Sequence, residues 1–316
     1  MGLVRFLARR LLLTVPVLFG MSVVVFLLIR LVPGDPAQVI LGLRATPEGL
    51  AAIHRDLGLD LPLHRQYVQW LSNFVTGNMG RDYRSHMPVA VLLRQRLPVT
   101  LELASLAMLL SVVIAIPLGV AAAVRRGGAA DRTATLLGLV GISIPDFWLA
   151  IMLILFVALE LGALPSSGFR PFAEDIAGNL RSLLLPAVTL AAGLAAVLVR
   201  MTRASMVDVL SREFIRFTRA KGLRERFVIY KHALRNASIP IITVIGLQSG
   251  YLLGGAVIVE QVFDLPGLGS LTVNATLERN YPVVQATAMV LGLMFVAVNL
   301  ATDAAYALLN PRIRAQ

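Results

Sequence analysis

Cysteine is absent from the 316 residues, so no disulfide staples this chain and no thiolate holds a metal. Lysine is nearly as scarce. Lys221 and Lys231 are the only two, each in a context without a following Ser or Thr. A phosphate-binding loop needs Gly-Lys followed by Ser or Thr, so the chain carries no nucleotide-binding loop of that kind. The four histidines, His54, His64, His86 and His232, all fall outside the apolar runs. That removes a His-Glu-x-x-His zinc site, and also an imidazole base for an intramembrane serine protease. With no catalytic constellation left, an enzyme is not the reading. No cofactor is expected. Charge is thin as well: Asp, Glu, Lys and Arg make up 15% of the chain, against about a quarter in ordinary soluble domains.

Long apolar runs take the place of charge. A bilayer core about 30 Å thick needs about 20 apolar residues in a helix. Four runs, Leu11–Ile29, Leu103–Val124, Ser182–Val199 and Ala237–Val259, contain no charge, while Thr133–Leu159 contains only Asp146 and Val283–Leu309 only Asp303. The expected class is an all-α integral membrane protein with six transmembrane helices, and the even number puts both ends on one side. The N-terminal end, 125–132, 200–236 and 310–316 together carry 18 of the 29 Lys and Arg, and the outer pieces 160–181 and 260–282 only three. By the positive-inside rule, N-terminus and C-terminus are cytoplasmic. The net charge of +11 is thus topogenic, and no basic groove with stacking aromatics suggests nucleic acid as a partner. The first run is too long for a typical signal peptide, and "RLVPGDPA" lacks a small-x-small cleavage pattern, so it reads as a retained anchor.

Residues 1–30 hold the N-terminal cytoplasmic end and first span, 31–98 an extracytoplasmic helical subdomain, and 99–316 the remaining five spans. In the outer region, Thr46 and Pro47 can open a helix that Gly58 closes. Tyr67, Trp70, Leu71 and Phe74 mark a second helix. Val89–Leu97 reads as a third piece ahead of Pro98, and "FDLPGLGS" as an outer turn.

The most charged stretch lies between two spans. Residues 200–236 carry ten Lys and Arg. Leu210, Phe214, Phe217 and Thr218 recur at helical spacing on one side, Gly222 interrupts, and Phe227, Tyr230 and Leu234 resume the pattern. Two short helices hinged at a glycine either lie on anionic lipid or dock in a groove of a cytoplasmic partner.

Here "RASMVDVLSREFIRFTRAKG" and "HALRNASIPIITVIGLQ" resemble the coupling loop of dipeptide/oligopeptide-type ABC importer permeases, in particular the B-type subunit that includes glutathione-transport members. The resemblance extends over "RRLLLTVPVLFG", "LVPGDP", "LGLDLPLHRQY", "PVTLELA", "FDLPGLG", "NYPVVQA" and "NPRIR". It implies the type I ABC importer permease (MetI-like) fold in a bacterial inner membrane. It also implies a second homologous permease subunit, two cytoplasmic ATP-binding subunits and an extracytoplasmic peptide-binding protein as partners. The ATPase-coupling positions it implies are Phe214, Arg216, Arg219, Ala220, Lys221, Gly222, His232, Ala233, Leu234, Arg235 and Asn236. The chain departs from the broader pattern at Arg216-Phe217-Thr218, where importers carry Glu-Ala-Ala and peptide-type members Arg-Thr-Ala.

Within the spans, Gly246, Gly250 and Gly254 form a row suited to close helix packing. Ser143, Asp146, Gln248 and Ser249 are candidates for the substrate pathway. Asp146 follows Pro145 in mid-span, where it either lines the passage or bonds backbone freed by the proline. Ionisable residues at membrane depth also support an alternative class, an ion-coupled secondary carrier or channel, through Glu102, Asp146 and Asp303. Asp303 is expected to pair with a basic loop residue such as Arg200.

Overall fold

The computed structural model describes residues 3–31, 38, 46–48, 50, 54 and 60–309. Among these, the architecture is helical. The long elements are α1 (Leu3–Leu31), α3 (Val89–Val124), α6 (Ile176–Ser211), α8 (Glu225–Val262) and α10 (Tyr281–Leu309). Shorter helices are α2 (Leu63–Val75), α4 (Ala129–Ser143), α5 (Asp146–Glu160), α7 (Glu213–Ala220) and α9 (Leu268–Leu277). All five long helices are apolar enough to cross a membrane.

The most buried of them, α6, stands at the centre. Its sequence explains why: Ala187, Ala191, Ala195 and Ala196 are all buried, and small side chains let neighbouring backbones approach. α3 runs alongside in the same direction. Near one end Asn179 Nδ2 donates to Glu102 at 2.8 Å. Near the other, a Cβ on Gly119 would overlap Thr202. Because α3 and α6 are parallel, the chain between them must travel back across the bundle.

That return is α4 and α5, which cover the apolar run Thr133–Leu159 and break at Pro145, the proline expected to free backbone there. The two helices meet at a bend of 101°. Pro145 has no N–H to continue α4, and Ile144 before it is extended at φ −82°, ψ 122°. Pro98 behaves in the opposite way. It does not separate Val89–Leu97 from the next span, because α3 continues unbroken through both Pro98 and Pro117.

α8 runs antiparallel to α6, with Gly255 facing Leu190. α10 is antiparallel to α8, with Gly246 against Thr302 and Gly250 against Phe295, and α1 then packs on α10, Met21 against Gly292. Arg10 Nη1 meets Asp303 at 3.0 Å. The partner of Asp303 is therefore Arg10 and not Arg200, since α1 is the helix adjacent to α10. The beginning of α1, the end of α10 and α7 lie on one face of the bundle.

At the opposite face α2 lies against the second half of α1. The Tyr67 hydroxyl is 2.7 Å from Ser22 Oγ, and its ring stands edge-on to Phe26 at 5.3 Å. Trp70 continues this aromatic contact at 5.8 Å from Phe26. Of the expected helix opening at Thr46, the described part holds one bond, Leu50 N–H to Thr46 O at 2.9 Å; the rest lies outside the described residues.

"FDLPGLGS" is a turn at this same face, organised by a fully buried carboxylate, Glu260. Thr100 Oγ1 donates to Glu260 Oε1 at 2.6 Å and accepts from Leu268 N–H at 2.8 Å, while Ser270 N–H donates to Glu260 Oε2 at 2.9 Å. Glu260 and Thr100 thus satisfy the first N–H groups of α9, which no turn of helix could serve. A Cβ at Gly267 would overlap that carboxylate. Glu260→Ala orphans a buried donor, and such a loss costs about 1–3 kcal/mol. The thermal midpoint of the purified chain in detergent is expected to drop accordingly, whereas Gln261→Ala, at an exposed position, is expected to leave it in place.

Candidate functional site

α7 emerges directly from the end of α6, separated by Arg212 alone. Its sequence EFIRFTRA folds so that one face faces the bundle: Ile215 is fully buried and Thr218 nearly so. Ile215 belongs to a cluster with Val120 of α3, Met206 and Val209 of α6, and Val228, Ala233, Ala237 and Ile241 of α8. Phe214 and Phe217 take the other face, 39% and 64% exposed. The apolar side drawn from sequence therefore divides: Ile215 holds the hairpin to the bundle, and the phenylalanines point out. Sequence spacing missed Ile215 because Phe214 and Phe217 are the bulkier residues.

Gly222 closes α7 with φ +74°, a left-handed conformation that costs other residues about 1 kcal/mol or more. A Cβ there would meet nothing within 4 Å, so the demand is on the backbone and not on space. Across the turn Arg219 Nη2 reaches Glu225 at 2.7 Å. Lys221 Nζ lies 4.7 Å from the Phe217 ring centroid. α8 then begins, passing through a π-helical stretch at Val228–Ala233. Val228 and Ala233 are buried, and Phe227 and Tyr230 are exposed. Of the expected coupling positions, Phe214, Arg216, Arg219, Ala220, Lys221, Gly222, Arg235 and Asn236 are exposed. His232 and Leu234 are half-buried, and Ala233 lies wholly within the packing. Asn236 Nδ2 donates to His232 O at 2.7 Å, an internal bond of α8.

Deeper in the bundle the glycine row of α8 divides too. Gly246 and Gly250 have no room for a Cβ against α10, but Gly254 has nothing within 4 Å, so close packing does not extend to it. The neighbouring Gly255 approaches Asp146 instead. A Cβ built on Gly255 would lie 3.5 Å from Asp146 Oδ2, and one on Gly193 of α6 would lie 3.7 Å from Oδ1. Asp146 lines a cavity of about 330 Å³ between α3, α4, α5 and α6. Ser143, Gln248 and Ser249 do not line it with Asp146. The hydroxyls of Ser143 and Ser249 bond Leu139 O and Ile245 O within their own helices, at 2.9 and 2.8 Å. The "AAGLAA" run of α6 and the Gly254-Gly255 doublet carried the signal for this site, and sequence reasoning passed over both.

A helical bundle with crossing apolar helices and an outward-facing basic hairpin at one end defines an integral membrane transport component. Residues 115–315 match the family model described as binding-protein-dependent transport system inner membrane component, and residues 3–104 match the N-terminal model of such membrane components. The chain belongs to this family. It is 43% identical over 300 residues to a protein of Brucella abortus (strain 2308) named as a peptide transport system permease, covering 95% of this chain and 96% of the relative. It is 42% identical over 312 residues to a glutathione transport system permease protein of Escherichia coli (strain K12), covering 99% of each. Its fold is shared with a chain of the MetNI methionine ABC transporter in an inward-facing conformation, at TM-score 0.59 and 22% identity over 71% of this chain and 98% of that one. The type I importer permease fold expected from sequence is therefore the fold observed.

The Arg219 guanidinium holds the Glu225 carboxyl below its ordinary range. A depressed folded-state value stabilises the turn above the unfolded carboxylate range, and this is lost as pH falls through the lowered value. The protection factors for amide exchange at residues 222–227, with the pH dependence of the intrinsic rate divided out, are expected to be higher at neutral pH and to fall in acid. Glu225→Gln is expected to show the lower protection already at pH 7.

Proposed function

We propose that this chain is one of two permease subunits that import di- and oligopeptides across the bacterial inner membrane at the expense of ATP. A second homologous permease completes the pathway. Two cytoplasmic ATP-binding subunits take the α7–Gly222–α8 hairpin of each permease, and an extracytoplasmic peptide-binding protein delivers cargo to the outer face around residues 31–98. N-terminus and C-terminus are cytoplasmic, on the side where Lys and Arg concentrate.

One observation carries the coupling assignment. The hairpin has two faces of opposite use: Ile215, Val228 and Ala233 root it in the packing of α3, α6 and α8, while Phe214, Phe217, Phe227 and Tyr230 stand exposed among arginines. Exposed aromatics with Arg are the composition of interface anchors. A push on that outer face reaches α6 without passing through a flexible linker, because α7 begins two residues after α6 ends. ATP-driven closure of the ATPases would move the hairpins and so turn the bundle between inward-facing and outward-facing states. Peptide as cargo is supported by the names of relatives that match at 42–43% identity across nearly the whole chain. Within the pathway, Asp146 is the residue best placed to meet cargo, with Gln248, Ser249 and Ser143 as lesser candidates. The carrier reading has lost two of its three carboxylates, since Asp303 pairs with Arg10 and Glu102 accepts from Asn179.

Phe214→Asp places a charge at the docking face without touching the buried one, and Gly222→Pro forbids the φ that the hinge requires. In the assembled transporter each is expected to cut ATP-dependent peptide uptake by about tenfold or more, as hot-spot losses do, while the chain still inserts. Wild-type coupling in both variants would refute the assignment. Uphill transport by the chain reconstituted alone would favour the carrier.

A further inference from the structure

The carboxylate of Asp146 is the one ionisable group lining the cavity between α3, α4, α5 and α6. It opens α5 immediately after the 101° bend. The first helical bond of α5 runs from Leu149 N–H to Pro145 O at 3.1 Å and does not involve the carboxylate. Among the described residues no hydrogen bond or ion pair engages the carboxylate. Its surroundings are apolar and small: Gly141, Ala191, Ala192, Gly193, Leu110 and Val188 are representative of the wall. In such a setting a carboxyl is either protonated or paired with a group of opposite sign, and nothing in this wall supplies one. A counter-charge for the ionised form comes from outside this wall.

The geometry restricts what it is. Calcium and magnesium want about six or more oxygen ligands and zinc about four donors, whereas the wall offers a single carboxylate, and no grouping of three or more His, Cys, Asp or Glu occurs among the described residues. The room is on the α6 and α8 sides, where glycines at 193 and 255 keep side chains away from the two carboxylate oxygens. A cavity of about 330 Å³ with one charged corner suits a small organic cation carrying apolar substituents. We propose that this cavity receives the protonated amino terminus of a peptide in transit, with Asp146 as its counter-ion and the small apolar residues of α6 against its first side chain. The assignment rests on the peptide-import reading and adds to it the end of the cargo that is recognised.

Because the chain has no native cysteine, Ala192→Cys puts a single thiol of this subunit in the cavity. The assembled complex in lipid nanodiscs is labelled with 2-aminoethyl or 2-sulfonatoethyl methanethiosulfonate, and modification is read from the mass of this subunit. The ratio of cationic to anionic labelling rates is expected to fall about tenfold when Asp146→Asn is added, as a focused negative field is removed. Asp146→Glu is expected to keep the ratio. Excess alanyl-alanine is expected to slow labelling and N-acetyl-alanyl-alanine is not. A thiol that neither reagent reaches, as when a basic side chain of the second permease fills the site, overturns the proposal. So does a ratio indifferent to Asp146, or two peptides that act alike. ATP-dependent alanyl-alanine uptake by the unmodified complex tests the import function separately, so failure of one is distinguishable from failure of the other.

Discussion

The close, parallel packing of α3 and α6 is the constraint from which the rest of this bundle follows. It depends on small residues at the crossing, such as Gly119 beneath Thr202 and the buried alanines along α6. Backbones that approach this closely gain dispersion contacts that a bilayer does not otherwise provide. Two parallel helices joined in sequence require a return, and the return is the bent α4–α5 pair. They also leave the end of α6 free to continue into α7. A centre made of small side chains therefore produces both the irregular backbone of the inner cavity and the protruding hairpin.

Within hydrocarbon, irregular backbone is tolerated only where protein covers it or where it lines a cavity. The bend at Ile144–Pro145 sits beside the cavity that Asp146 lines, and Gly193 and Gly255 border the carboxylate from two other helices. At the face opposite the hairpin the same demand is met differently. Glu260 and Thr100 take up the N–H groups that open α9, and so tie α3, α8 and α9 together where the helices end. Both devices place a carboxylate at the start of a helix. One is saturated with donors and structural, and the other is open.

Much of this was legible from sequence. The apolar lengths and the turn at Gly222 are local properties, because helix length and the left-handed φ of a glycine depend on a few consecutive residues. Proline was legible at one position and not at the other. Pro98 reads from sequence as the end of a helix that runs on, whereas Pro145, which reads as freeing backbone in mid-span, breaks its helix through 101°. A proline removes one N–H in either case, and whether the helix survives depends on what packs around the gap. The partner of Asp303 was misjudged for a similar reason, as the pairing with Arg10 joins the two ends of the chain.

By itself, the sequence determined that this is a multi-crossing membrane protein, and where it carries a basic, aromatic-rich hairpin. These follow from composition summed over windows of about twenty residues, the length over which a bilayer selects. Only the tertiary structure decided that Ile215 and not Phe214 anchors the hairpin, that Gly255 and not Gly254 faces Asp146, and that Glu260 governs the turn before α9. A helical pattern marks which residues share a face. Which neighbour that face meets is fixed by helices distant in the chain, whose approach is set by the volumes of both partners.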